Sequence, residues 1–357
     1  MSADQASSSL GKWWVCGLLL LALTLNYMDR QTLSLTIVPI SEELGLSNAQ
    51  YGTLEWGFGY AFAAGGLALG WLADKASVRW LYPLILCAWS AAGVATGYAD
   101  RIGQMLAPGV AAWWPDFVDP HDASGCAFLG FLVCRTVLGF FEAGQWPCAL
   151  ITTQRLLEPA DRPFGNGLLQ SGASVGAILT PLVVQALVTA QPGSWRGPYV
   201  VTGTLGLLWI LPWVWLTRGV RLVAPPRGPA AGSPICPHPG AGGSVSPWRL
   251  ARRCLALAMV VIAINQTWQF FRAWQPKMLE QYHHYDAAAV RYFTSAYYVA
   301  TDLGCILAGF AIKRLTARRV PLHDARLLVF FACAGLTALG TVASGLGRGP
   351  LLLLLLC

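Results

Sequence analysis

Long apolar runs, each about as long as a bilayer is thick, alternate along this chain with short polar turns. A helix needs about 20 predominantly apolar residues to cross the hydrocarbon. Runs of that kind predict spans at residues 13–37, 54–72, 81–98, 127–150, 164–187, 198–216, 254–274, 293–312 and 327–344. A further run opens at Leu351 and stops at Cys357. The pattern predicts an all-α polytopic membrane protein with nine spans and the start of a tenth. The first run does not read as a cleaved leader, because it continues into NYMDRQTLSL without a small-residue cleavage site and eight more spans follow.

Composition narrows the class. The chain has 357 residues, of which 55% are hydrophobic and 11% charged, against about a quarter charged in a soluble domain. A soluble enzyme, a nucleic-acid binder and a disordered tail are excluded. The net charge of +7 therefore reads as topology. With the N-terminus inside, 16 of the 24 basic residues fall in inner segments, 5 in outer loops and 3 within spans. Inner segments carry the basic excess, so the N-terminus is expected in the cytoplasm and the protein in the plasma (inner) membrane. The ten cysteines occur singly, mostly within apolar runs, and read as small buried hydrophobes. His121, beside Asp119 and Asp122, reads as part of a solvated external loop at 99–125, not as a metal ligand.

One connection divides the chain. Residues 219–247 are rich in Pro and Gly, contain no acid and are flanked by Arg218, Arg249, Arg252 and Arg253. This reads as a flexible cytoplasmic linker. It separates a six-helix N-terminal bundle (1–217) from a partial C-terminal bundle (254–357), with the linker at 218–253. Two sets of spans around a basic linker outline a transporter built from two parallel halves.

Ionisable groups inside the bilayer are costly and point to function. Span one carries Asp29 and Arg30, span four Arg135 and Glu142, span seven Arg272 and span eight Asp302. Arg135 and Glu142 are seven residues apart, two helical turns to within about 20°, so they share a face. Glu55, near the outer end of span two, reads as a group that reaches water. Two readings of the buried set stay open: ion pairs that staple helices, or the working groups of a polar cavity. Between spans two and three stand Gly70, Asp74, Lys75 and Arg79. Gly70 there would permit close helix approach, and Asp74 with Arg79 can form a charge latch at the cytoplasmic gate.

That GxxxDKxxxR pattern resembles a signature of the major facilitator superfamily. The second half keeps Gly309 and Arg314 at the matching place but has Lys313 where an acid is often found, so a symmetric latch is not expected. NYMDR in span one, RTVLGFFEAGQWPCAL in span four, SWRGPYVV before span six, INQTWQFFRAWQPKML and TSAYYVATDLG resemble the anion:cation symporter branch. That branch includes bacterial hexuronate and sugar-acid transporters. The resemblance implies proton-coupled symport of an organic anion, with no cofactor beyond the proton, no enzymatic activity and no nucleic-acid partner. A monomer in the lipid bilayer is expected. It makes Arg30 the anion clamp, Asp29 and Glu142 the proton sites, and Arg135 the partner that tunes them. Tyr27, Gln170, Ser171, Asn265 and Arg272 would line the substrate site. A packing role for Tyr27 and helix–helix hydrogen bonding for the amides and Ser171 remain open. The family has twelve spans, so the chain also reads as a piece of a longer frame. The competing functions are an exporter of other solutes on the same fold and a transport-inactive remnant or sensor.

Overall fold

In a computed structural model of the chain, residues 3–158, 161–218, 247–340 and 346–356 are described. Among them no strand occurs. The helices are α1 (Ala3–Leu44), α2 (Asn48–Lys75), α3 (Val78–Thr96), α4 (Ala99–Trp113), α5 (Ala123–Glu142), α6 (Gln145–Leu156), α7 (Arg162–Leu187) and α8 (Arg196–Leu216). After the linker come α9 (Pro247–Lys277), α10 (Ala287–Ala317), α11 (Leu322–Leu339) and α12 (Pro350–Leu356). A π-helical turn, Met278–Tyr282, closes the end of α9. The linker segment 219–246 lies outside the described residues, as does Cys357.

Local chemistry sets the helix ends. Gly45 takes a φ of +72° and stops α1, a conformation that glycine adopts without a Cβ penalty. Two residues on, Ser47 caps α2: its hydroxyl accepts from Gln50 N at 3.2 Å while its own N–H donates to Gln50 Oε1 at 2.8 Å. This reciprocal box satisfies two donors that the first turn leaves without helical partners. Asp122 caps α5 through Ser124 N and Gly125 N, and Asp286 caps α10 through Ala288 N.

Among the described residues, seven stretches are long and apolar enough to cross a membrane: 78–96, 123–156, 164–187, 196–216, 250–282, 287–317 and 322–339. Helices α1 and α2 are not among them, although the 28 residues of α2 would rise about 42 Å at 1.5 Å per residue. Asn26, Asp29, Arg30 and Gln31 lower the hydropathy of α1. The expected external loop at 99–125 is half helix. α4 lies along the N-terminal part of α5, and a Cβ on Gly103 would strike Cys126 O while one on Gly130 would strike Ala99 O. Small residues let two backbones meet where no water drives them together.

Helix α1 runs through the centre, packed against α7, α8 and α9. The Thr24 hydroxyl bonds Gly172 O of α7 at 3.1 Å, and Trp209 of α8 donates to Leu18 O at 2.7 Å. Helix α2 lies on α5 and α3 on α8. The second set reaches the first through α10 on α7 and α9 on α1. Ser174 donates to Asp302 Oδ1 at 2.8 Å and Arg291 to Gln185 Oε1 at 3.0 Å. By contrast, Leu255, Leu257, Ile262, Phe331 and Leu336 on α9 and α11 are exposed, as side chains facing lipid are.

Two expectations about the turn after α2 need correction. Gly70 is not the point of close approach, since a Cβ there would meet only Pro147 Cγ at 3.8 Å. The close approach lies further back, where a Cβ on Gly65 would collide with the Phe140 backbone and one on Gly139 with Phe58 O at 2.6 Å. Nor do Asp74 and Arg79 pair. Asp74 faces Arg155 at the end of α6, Lys75 Nζ sits 3.8 Å over the Trp71 ring, and the Arg79 guanidinium lies 5.4 Å over the ring of its neighbour Trp80. Asp74 lies at the last turn of α2 and Arg79 at the first turn of α3, and each is taken up by its own neighbours.

Candidate functional site

Successive helical residues point about 100° apart, and α1 uses this to aim three polar side chains at three neighbours. Asp29 faces α3, where a Cβ on Gly93 would stand 3.4 Å from its Oδ1. Arg30 turns to α5 and donates from Nε and Nη2 to Glu142 Oε2 at 3.3 and 3.2 Å. Gln31 turns toward Tyr298 of α10. All three are buried. Asn26, one turn before Arg30, extends the Glu142 face, with its Nδ2 3.5 Å from Glu142 O.

The Arg30 guanidinium lies among rings, 4.6 Å from Phe62, 5.5 Å from Phe58 and 5.4 Å from Tyr27. Aromatic faces attract a cation without neutralising it. Arg135 is fully buried and stacks on Phe58 at 4.4 Å. Its partner is Glu55, from Nη2 to Oε1 at 3.4 Å. Arg135 does not pair with Asp29 or with Glu142, which the shared face of α5 had put next to it. The other carboxylate oxygen of Glu55 accepts from Arg272 Nη2 at 2.5 Å. Arg272 also donates from Nη1 to the Arg30 carbonyl at 3.1 Å and from Nε to Gln269 at 2.7 Å.

Two linked sets result, Arg30–Glu142 and Arg135–Glu55–Arg272, drawn from α1, α2, α5 and α9. Above them Tyr51 of α2 donates to Ala273 O at 2.7 Å and meets Trp274 edge-on. Several buried atoms in and beside the cluster lack hydrogen-bond partners: both oxygens of Asp29, Glu142 Oε1, and Nε and Nη1 of Arg135. Thr202 faces Asp29, but its hydroxyl donates to Pro198 O at 2.9 Å. Such atoms are costly to bury unpaired, so they mark where a ligand group or a proton would find a partner.

The sequence candidates divide accordingly. Asp29, Arg30, Arg135, Glu142 and Arg272 converge, and Tyr27 borders them. Gln170 and Ser171 are exposed on α7, Ser171 bonding its own Leu168 O, and neither bonds the charged cluster. Asn265 is exposed on α9 and donates to Val261 O of its own helix. The group the sequence reading missed is Glu55. It was expected to reach water, yet its side chain is only 11% exposed and holds two guanidiniums. A signal existed: Tyr51, Leu54, Phe58, Ala61 and Gly65 form the buried stripe of α2, and Glu55 lies four residues from Tyr51 and three from Phe58.

Comparison with known proteins adds a lineage. A family model described as Major Facilitator Superfamily matches residues 19–357. The chain is 26% identical over 326 residues to the probable sulfoacetate transporter of Cupriavidus necator, covering 89% of this chain and 68% of that one. It is 23% identical to the D-galactonate transporter of Escherichia coli O6:H1, covering 87% and 69%. With the hexuronate transporter of Escherichia coli K12 the identity is 22%, covering 84% and 64%. Among solved structures, a bacterial homolog of the human lysosomal transporter Spinster, inward-facing and unoccupied, superposes with a TM-score of 0.65 at 20% identity. That match covers 86% of this chain and 64% of the other. The chain thus spans about two thirds of the length of these relatives.

Proposed function

The chain belongs to the Major Facilitator Superfamily, and on that premise we propose that it carries a small organic anion, a hexuronate or related sugar acid, across the plasma membrane together with protons. The superfamily consists of transporters and not enzymes. The observation that carries the reading is the buried Arg30–Glu142 pair beside Arg135, Glu55 and Arg272. Arginine offers a permanent charge and a planar fork that fits a carboxylate. A carboxylate on the ligand competes with Glu142 for Arg30, and a proton on Glu142 releases the guanidinium to the ligand. Asp29, with no hydrogen-bond partner, is the second proton acceptor. Proton and anion then bind together, so the charge of the anion is offset while the loaded site reorients between the two sides of the membrane.

The names of the relatives support this substrate class, since they include sulfoacetate, galactonate and hexuronate transporters. An exporter of lipophilic cations would be served by buried acids without three buried arginines. The test is uptake into proteoliposomes under an inward proton gradient. Labelled galacturonate or galactonate should accumulate, and a lipophilic cationic dye should not. Movement of the dye with no gradient-driven accumulation of either acid would overturn the reading.

A further inference from the structure

We propose that a pocket at the end of α9, apart from the charged cluster, holds an anionic phospholipid of the bilayer. Its phosphate would sit on Lys277 and Gln275 and an acyl chain along Phe271 and Trp274. The pocket, about 480 Å³ in volume, lies between Asn48 in the first turn of α2 and the last turns of α9 with the π-helical turn that follows. That volume is in the range of small-molecule sites. Phe271, Trp274, Gln275 and Met278 line it from one face of α9, at i, i+3, i+4 and i+7. Arg272 stands about 100° round the helix from Phe271, toward the charged cluster, so the two sites use different faces.

Charge is the first argument. Lys277 and Gln275 are each only 4% exposed. Among the described residues Lys277 has no ion pair or hydrogen bond. The ring of Tyr51, 5.0 Å from its Nζ, attracts the ammonium without neutralising it. Gln275 Nε2 is buried with no partner. A cation and an amide donor, both cut off from water and both lining one pocket, are costly as they stand. A phosphodiester satisfies the two together, its oxygens accepting from the amide and offsetting the ammonium. No acid lines the pocket among the described residues, so an anion meets no repulsion there.

Depth is the second. Lys277 stands near the end of the membrane-spanning stretch 250–282, and the exposed Asn48 and Gln281 border the pocket at that level. Phe271 lies nearer the middle of the span, about 9 Å away at 1.5 Å per residue. The pocket is thus polar toward the membrane surface and aromatic toward its centre, the order of a phospholipid from head to chain. Phe270, also in the lining, is 58% exposed, so the pocket opens where α9 faces lipid. A soluble phosphate would leave the aromatic wall bare. The Tyr51 hydroxyl joins α2 to Ala273 O of α9 beside the pocket, so a lipid seated there braces this seam between the two sets of helices.

The test is native mass spectrometry of the full chain in detergent, titrated with phosphatidylglycerol or phosphatidylcholine of equal chain length. One phosphatidylglycerol should bind about tenfold more tightly than phosphatidylcholine, the scale of one charge-assisted contact, and should raise the unfolding temperature. Lys277→Gln should abolish that preference, whereas Lys313→Gln, at an exposed cation of α10, should keep it. A photoactivatable phosphatidylglycerol should label residues 270–282. Equal affinities for the two lipids, labelling only elsewhere, or the same loss in both variants would overturn the proposal, the last by showing a general attraction to basic surface. Competition by glycerol phosphate as strong as by the lipid would overturn it in favour of a soluble phosphate. Retention of neither lipid would overturn it as well and leave the pocket to a protein segment. Should Lys277→Gln fail to fold, the lipid comparison and the labelling in the unaltered protein decide.

Discussion

At the scale of single residues, the side chain of Arg30 makes two bonds to one carboxylate oxygen within a ring of three aromatics. Arg30→Lys keeps the charge and loses the fork. Affinity for an organic acid should fall about tenfold or more, the weight of a charge-assisted bond, with the thermal unfolding of the empty protein little changed. Unaltered affinity would remove Arg30 from the clamp. Glu142→Gln imitates a carboxyl that never loses its proton. The variant should still exchange labelled acid between two equal pools yet fail to concentrate it under a pH gradient. If it concentrates the acid as the parent does, Glu142 serves as a staple for Arg30 and not as a coupling site. Both residues announce themselves in the sequence as charges inside apolar runs. Glu55 did not, because an acid near the end of a span can reach water as easily as it can turn inward. Which it does depends on Arg135 and Arg272, 80 and 217 positions away.

At the scale of helices, glycines decide which pairs can touch. Gly65 and Gly139 let α2 and α5 approach until a single methyl on either would meet the opposite backbone. Arg135 and Glu142 sit on α5 and Glu55 on α2, so this contact also fixes the distances within the charged cluster. Gly65→Ala should therefore destabilise the protein by about 1–3 kcal/mol through overpacking, read as a lower unfolding temperature in detergent. Gly59→Ala, on the same helix with open space around it, is the control and should unfold like the parent. Equal behaviour of the two would mean that the α2–α5 contact relaxes without cost. The sequence could place these glycines on spans but not tell Gly65 from Gly70. They stand about 140° apart around one helix, and only the partner's backbone shows which of the two directions holds the contact.

For the whole molecule, the basic excess in one set of loops predicts which way the chain lies in the membrane. In a background lacking the exposed native cysteines, Asp116→Cys should react with an impermeant maleimide on intact cells. Glu158→Cys should react only after the membrane is opened. The reverse pattern would invert the topology and with it the direction of the proposed proton-driven uptake. The two sets of helices meet at α9 with α1 and at α10 with α7, and side chains of α2 bond α9. At these seams Tyr51 reaches Ala273 and Arg272 reaches Arg30, so the candidate site exists only where the two sets are assembled.

The sequence by itself determined the helical class, the positions of most spans and the presence of buried charges, because hydrophobic length and in-membrane ionisation are local properties that each run carries alone. It also determined that Arg135 and Glu142 share a face, since helical periodicity is local too. The partners were decided by the tertiary structure. Glu142 went to Arg30, Arg135 went to Glu55, and Arg272 bridged Glu55 to the α1 backbone. Gln170, Ser171 and Asn265, polar groups on the same helices, are exposed and make no bond to the cluster, Ser171 and Asn265 bonding carbonyls of their own helices. A residue's direction around its helix follows from sequence spacing, but what stands in that direction depends on how four helices cross. Those crossings are set by backbone contacts between residues far apart in the chain.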